Sequence, residues 1–437
     1  MPLPVLLAAT CLYVLLVLSV LFQARNRALA FVVAALSLRT IVSVFHGVTF
    51  GPAIAGQSIA ALGSVAMIAL GAISIRWADL ALRQFMAFYL LITVTIVSGA
   101  INMTFGGLAE ALLKFALWAL IAVAVMQAFA ARSGKAVTLA ILATLTLPVA
   151  LQLAALTMGI SKSGENDGSV SYVGGYYHEA SISIVLLTGL FVICMARSLS
   201  KAVRVFWTLL FVAGLLLADY RTAIIAATPL VLFACFSTFL GRVRPQQRAV
   251  FALILLIGGF AALTFDSGLI EMRFSDLGSA DFSKVFQSPD SYSVAETRLL
   301  SGRLWIWSLY INGFAEADLL HKLIGHGPES WAGVFPLYAH NTFISYLYEF
   351  GVLGAAALLG FWASMFVAAW RVQGPLRPVL LAAHTSYLLL NLGTMPMWLI
   401  EGGILYACIC GTTLYALRRA VTTRYAVIAE AEPLPAS

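Results

Sequence analysis

Apolar runs of membrane-spanning length recur along almost the whole chain, and no other feature constrains the fold as much. They lie near 4–22, 28–45, 57–75, 84–100, 110–130, 136–158, 180–197, 203–218, 222–240, 249–265, 351–370, 378–395 and 400–417. A helix needs about 20 apolar residues to cross a bilayer core, so the pattern predicts an all-α polytopic membrane protein with about 12–13 transmembrane helices. Composition agrees: 61% of residues are hydrophobic and 10% charged, with a mean hydropathy of +0.95. A soluble domain carries about 25% charged residues, so that class is excluded.

The formal charge of +7 would suggest nucleic acid in a soluble chain, but here position decides the reading. Basic residues cluster in every second connection: Arg25 and Arg27, Arg76 and Arg83, Arg132 and Lys135, Arg197 to Arg204, Arg242 to Arg248, Arg371 and Arg377, and Arg418 to Arg424. The positive-inside rule makes those loops cytoplasmic. The first run, Pro2 to Gln23, has no basic residue ahead of it and reads as a retained span with its N-terminus outside; the C-terminus is expected inside. All five cysteines lie in apolar stretches, which leaves no disulfide framework.

Two connections on the opposite face are long and polar, Ser161 to Glu179 and Asp266 to His340, and long polar loops usually carry function. The larger contains a helical stretch, Arg298 to Phe314, with Leu299, Leu300, Leu304, Trp305 and Trp307 available for an apolar side. The expected organisation is a helical core over 1–265, an exoplasmic subdomain over 266–340, C-terminal helices over 341–424 and a cytoplasmic tail over 425–437. Neither a repeat nor a low-complexity segment is visible.

Several residues in these connections suggest chemistry. Arg221, in Asp219-Tyr220-Arg221-Thr222, is wedged between two apolar runs. Such a charge either grips an anionic headgroup with forked donors suited to phosphate, or snorkels beside Asp219 at the membrane surface. Arg303 and Arg298 lie beside Trp305 and Trp307, where they would bind a lipid phosphate, or anchor the loop and pair with Glu296. Further on, the tight turn around His326 is followed by His340-Asn341, where Asn341 reads as a helix cap that also exposes amides to a phosphate oxygen. His340 at that mouth, with an ordinary pKa of about 6.5, would accept a proton from an attacking sugar hydroxyl; the plain alternative is a capping or packing histidine. In the shorter loop, Tyr176, His178 and Glu179 suit sugar hydroxyls but are also ordinary interface residues. The buried charges Arg39, Lys114 and Glu401 are expected to pair within the membrane.

Gly325-His326-Gly327-Pro328 is no dinucleotide fingerprint, and no phosphate-loop motif is present, which disfavours ATP-driven transport. No ligand spacing suggests a metal, so neither a metal nor a cofactor is expected.

Taken in order, Gly302-Arg303-Leu304-Trp305, Leu323 to Pro328, His340-Asn341-Thr342-Phe343 and Glu349-Phe350-Gly351-Val352-Leu353-Gly354 resemble the O-antigen ligase and polymerase family, the bacterial Wzy/WaaL-type glycan polymerases and ligases. Tyr220-Arg221-Thr222 resembles the family's Ser-Arg element with Tyr in place of Ser. Gly175-Tyr176-Tyr177-His178-Glu179-Ala180 resembles its Gly-x-Phe-x-His region, without the Arg often seen before it. The resemblance implies a GT-C-like fold in the bacterial inner membrane and an active site facing the periplasm. It also implies transfer of a glycan from undecaprenyl diphosphate without nucleotide sugar or metal. Arg221 and Arg303 would bind diphosphate and His340 would act near the acceptor, with Arg298, Asn341, His178, Glu179, Tyr176 and His326 as substrate-binding candidates.

A glycosyl diphosphate needs mainly neutralisation of its leaving group, which two arginines supply. One base then suffices for a single displacement with inversion. A polymerase acting on lipid-linked repeat units is favoured because two exoplasmic loops can cradle two saccharide chains. A ligase acting on lipid A core or protein, and a lipid-linked oligosaccharide flippase, are the alternatives. Membrane lipids and a chain-length regulator are the further expected partners, and nucleic acid is not one.

Overall fold

The computed structural model describes residues 1–163, 170–239 and 280–431, with the single positions 247 and 278. The chain is an all-α polytopic membrane protein: among the described residues, eight helices are long and apolar enough to cross a membrane, and nine if one bent pair counts as a span. The expected run at 249–265 and the start of the large loop lie outside the described residues.

In chain order the helices are α1 (Leu3–Ala24), α2 (Arg27–Val44), α3 (Ile59–Ser74), α4 (Met86–Ile101), α5 (Phe105–Ala131), α6 (Gly134–Thr144), α7 (Thr146–Thr157), α8 (Glu179–Met195), α9 (Lys201–Ala218) and α10 (Arg221–Phe239). After the large loop's α11 (Arg303–Glu316) and α12 (Leu319–Ile324) come α13 (Thr342–Arg371), α14 (Leu376–Gly393) and α15 (Ile400–Ala431). Two-residue and three-residue strands form two small hairpins, Pro52–Ile54 with Gln57–Ser58, and Lys162–Ser163 with Val170–Ser171.

Burial sorts the helices into hub and periphery. The spanning window of α15 is 78% buried within the protein, whereas that of α1 is 11% buried and presents Leu12, Leu15 and Phe22 outward. Helix α15 packs along α5, and Gly411 makes the approach possible, since a Cβ there would lie 2.3 Å from the Ala122 carbonyl oxygen. Small residues at such crossings let backbones touch where lipid offers no hydrophobic drive to association. The bent pair α6–α7 has a local cause. Pro148 has no N–H to donate to the Thr144 carbonyl one turn back, and Tyr13 Oη donates to that carbonyl instead at 2.8 Å.

The buried charges are paired. Arg39 grips Glu401 through two hydrogen bonds of 2.8 and 3.1 Å, and Ser43 donates to the same carboxylate. Lys114 lies 2.5 Å from Glu110, one turn earlier on α5.

Contacts between loops follow the two faces expected from the basic residues. At the basic end Asp79 accepts from Arg418 at 2.7 Å and from Gln127 at 2.7 Å. At the other end His46 contacts the Gly175 carbonyl, Asn102 donates to the Gly325 carbonyl and Thr222 to the Gly393 carbonyl. The large loop therefore docks onto the end opposite the positive clusters.

Helix boundaries differ from expectation in two places. The loop helix starts at Arg303, because Leu299 to Gly302 have non-helical angles. The expected span at 351–370 and the helix expected from 341 are one element, α13, kinked at Gly351, where φ is 63°. Within the loop, Leu300 and Leu304 are buried with Val285, while Trp307 and Leu299 pack against them.

Candidate active site

Three chain segments meet at the end opposite the basic clusters, and each reaches the site through a residue held in a left-handed backbone. Asp219, at φ 53°, ends α9 so that Tyr220 and Arg221 turn directly into α10. Leu300 and Ser301, at φ 51° and 56°, precede Gly302 and aim Arg303 at the start of α11. His340 itself has φ 50°. Non-glycine residues in this region cost about 1–3 kcal/mol each and persist where their surroundings over-determine them. Burial of Leu300 does so for the second segment.

His340 is clamped on both sides. Before it, the Ala339 carbonyl accepts from Trp307 Nε1 at 2.8 Å, and the Tyr338 ring lies 4.0 Å from the imidazole. After it, Asn341 caps α13, its Oδ1 accepting from Phe343 N and Ile344 N, while its Nδ2 donates to the Leu392 carbonyl at 3.0 Å. Burial, then the positive charges of Arg303 and His178, push the His340 imidazole down to about 3.

Arg303 Nη1 donates to Thr222 Oγ1 at 3.3 Å, and Thr222 donates in turn to the Gly393 carbonyl at 3.3 Å. Thr222 adjoins Arg221, so the hydrogen bond joins the loop arginine to the membrane-edge arginine's own helix. His178 caps α8, its Nδ1 accepting from Ala180 N at 3.0 Å, which leaves the proton of a neutral ring on Nε2. Its ring lies 6.2 Å from Tyr220. Glu179 pairs with Lys162 at 3.2 Å, and Tyr176 is 2% exposed.

Two of the expected site residues stand apart. Arg298 is exposed on the loop, and Glu296 pairs with Lys284 instead. His326 stacks between His321, 4.5 Å away, and Tyr348, 4.6 Å away. Burial, then the charge of His321, lowers its pKa. The motif around it serves close backbone approach: a Cβ at Gly325 would lie 2.2 Å from Phe350 N, and one at Gly327 2.3 Å from Thr104 Oγ1. Glu349 completes the clasp, accepting from Glu329 N at 2.8 Å and from Ser345 Oγ at 2.5 Å.

A cavity of about 300 Å³ opens beside this cluster. Its wall includes Arg39, Lys114, Tyr176, Tyr177, His178, Glu329, Trp331, Tyr338 and Trp398, of which only Tyr176 and His178 were site candidates in the sequence. Thr222, Tyr338, Glu329 and Trp331 carried no signal beyond their neighbourhood to named residues. Among the described residues no group of three or more His, Cys, Asp or Glu side chains is placed to hold a metal ion.

Residues 205–359 match a family model described as O-antigen ligase. That segment contains Arg221, Arg303, His326 and His340 but not His178. Among curated proteins, none matches the chain.

Proposed function

We propose that this chain, whose residues 205–359 match a family model described as O-antigen ligase, is a polysaccharide polymerase of the bacterial inner membrane. It takes a glycan from undecaprenyl diphosphate and passes it to the terminal sugar hydroxyl of a lipid-linked repeat unit on the periplasmic side. The observation carrying this reading is the hydrogen bond from Arg303 to Thr222, the neighbour of Arg221, while Trp307 of the same loop helix bonds the carbonyl just before His340 and the His178 ring lies 6.2 Å from Tyr220.

In the reaction, the acceptor hydroxyl oxygen attacks the anomeric carbon from the face opposite the diphosphate. The new carbon–oxygen bond forms as the bond to the diphosphate oxygen breaks, and its electron pair leaves on that oxygen. Arg221 and Arg303 neutralise the departing charge with forked donors. His340 takes the hydroxyl proton and later releases it to water. One displacement inverts the anomeric centre.

The electrostatics of His340 suit a base that is armed by its donor. In the free protein burial, then the charge of Arg303, holds it neutral and weakly basic. A diphosphate on Arg303 cancels part of that repulsion, so basicity rises as the donor arrives.

The test is incubation of purified protein in nanodiscs with its host's undecaprenyl-diphosphate-linked repeat unit, followed by size separation. A glycan ladder formed without nucleotide, and lost in His340→Ala and Arg303→Ala, is the expected result. Folded variants with full activity would end the role assignment. A wild-type protein that makes no ladder but transfers glycan to added lipid A core or protein is a ligase.

A further inference from the structure

We propose that the cavity walled by Trp331, Trp398, Tyr338, Lys114 and Glu329 is the acceptor subsite, and that it takes one uncharged sugar residue, the one whose hydroxyl is glycosylated. This rests on the transferase reading above and adds to it which substrate lies where, and of what chemistry.

Position carries the first part. Tyr338 and His178 belong to the cavity wall, and Tyr338 also flanks His340 by ring contact at 4.0 Å. Arg303 and Arg221 are not in that wall, and Arg303 points to Thr222. His340 thus links the cavity, through the Tyr338 ring, to the Arg303 helix, whose Trp307 bonds the Ala339 carbonyl. A base so placed removes a proton from a group seated in the cavity while the leaving group is held on the arginines.

Shape and charge carry the second part. At about 300 Å³ the cavity is at the small end of ligand pockets, which suits one sugar ring and not a chain. Trp331 stands edge-on to Tyr338 at 6.0 Å, and Trp398 forms another flat wall with the Lys114 ammonium 5.6 Å from its ring centre. Such faces suit the C–H face of a pyranose, and the polar groups between them suit its hydroxyls.

The cations in the wall already have carboxylates beside them: Arg39 has Glu401 at 2.8 Å and Lys114 has Glu110 at 2.5 Å, while the His178 Nδ1 accepts from Ala180 N. Burial, then the charge of Glu110, raises the pKa of Glu329, which favours its protonated carboxyl. No cation is left over among these to balance a uronic acid or a phosphosugar, and burying an unmatched anion is costly. Glu329 therefore acts as a hydroxyl-binding and specificity-determining group.

The experiment uses the full chain in nanodiscs, with two readouts. Calorimetric titration uses the repeat-unit oligosaccharide released from the host's lipid carrier, against an oligosaccharide of equal length ending in a uronic acid. Kinetics use the lipid-linked repeat. Trp331→Ala and Glu329→Gln should raise the acceptor KM about tenfold with kcat changed less than about twofold, and should weaken oligosaccharide binding in parallel. Trp331→Phe should restore part of both, which separates lost stacking from misfolding.

Unchanged KM and binding in both variants, with His340→Ala and Arg303→Ala inactive, overturns the subsite while leaving the transferase reading intact. Equal binding of the acid-terminated oligosaccharide overturns the uncharged-sugar assignment. If the wild type transfers nothing, the transferase reading fails, and Trp331-dependent oligosaccharide binding still decides whether the cavity holds sugar.

Discussion

His340, the proposed base, lies in a backbone conformation that few side chains tolerate, and its neighbours explain both its position and its charge state. Its pKa, held near 3 by burial, Arg303 and His178, lies below the reference value of about 6.5. Between those values the unfolded chain binds more protons than the folded one, so this residue's contribution to stability declines as pH falls through that window. Donor binding adds negative charge beside Arg303, which favours the imidazolium. The acid limb of kcat should therefore lie at higher pH than that of kcat/KM; a kcat limb at the same or lower pH would contradict donor-armed basicity. Thr222→Val removes the hydroxyl that accepts from Arg303 and donates to Gly393. Hydrogen bonds to charged groups are worth about 1.5–3 kcal/mol, so kcat/KM should fall by about 10-fold to 100-fold, with the protein still folded by size exclusion.

At the scale of elements, the turn Gly325 to Glu329 and the kink at Gly351 form one interlocking unit. Gly351 has φ 63° and ψ −166°, and a Cβ there would lie 2.4 Å from Leu323 C. That region of backbone space is essentially reserved for glycine. Gly351→Ala should cost more than about 2 kcal/mol and lower the thermal midpoint in detergent by several degrees, whereas Gly360→Ala, with nothing within 4 Å of the added carbon, should not. The sequence made this turn visible as a cluster of glycines beside His326. It did not reveal that His326 would be stacked between His321 and Tyr348, because that depends on which face of a distant helix arrives opposite the turn. Asn341 as a helix cap was legible from local spacing, since capping involves only the next three residues. The role of Thr222 was not, because its partners come from residues 303 and 393.

Across the whole molecule, hydrophobic runs and the alternation of basic loops specified the all-α architecture and its two faces, since bilayer thickness and charge asymmetry act on each span separately. Pairing of Arg39 with Glu401 followed from the cost of isolated charge in a bilayer, though the choice of partner required the fold. Glu401→Leu should leave Arg39 uncompensated and cost about 3–5 kcal/mol, while the double change Arg39→Leu with Glu401→Leu should be milder. Fluorescence-detected size exclusion after heating measures both, and equal losses would mean that the pair serves packing and not charge balance.

The hydrogen bond from Arg303 to Thr222 has one more implication. Arg221 opens the membrane helix α10 and His340 immediately precedes α13, whereas Arg303 arrives with the loop helix α11. The arginine pair therefore exists only where the loop has docked, so folding of the loop onto the helices is itself a condition for the cluster.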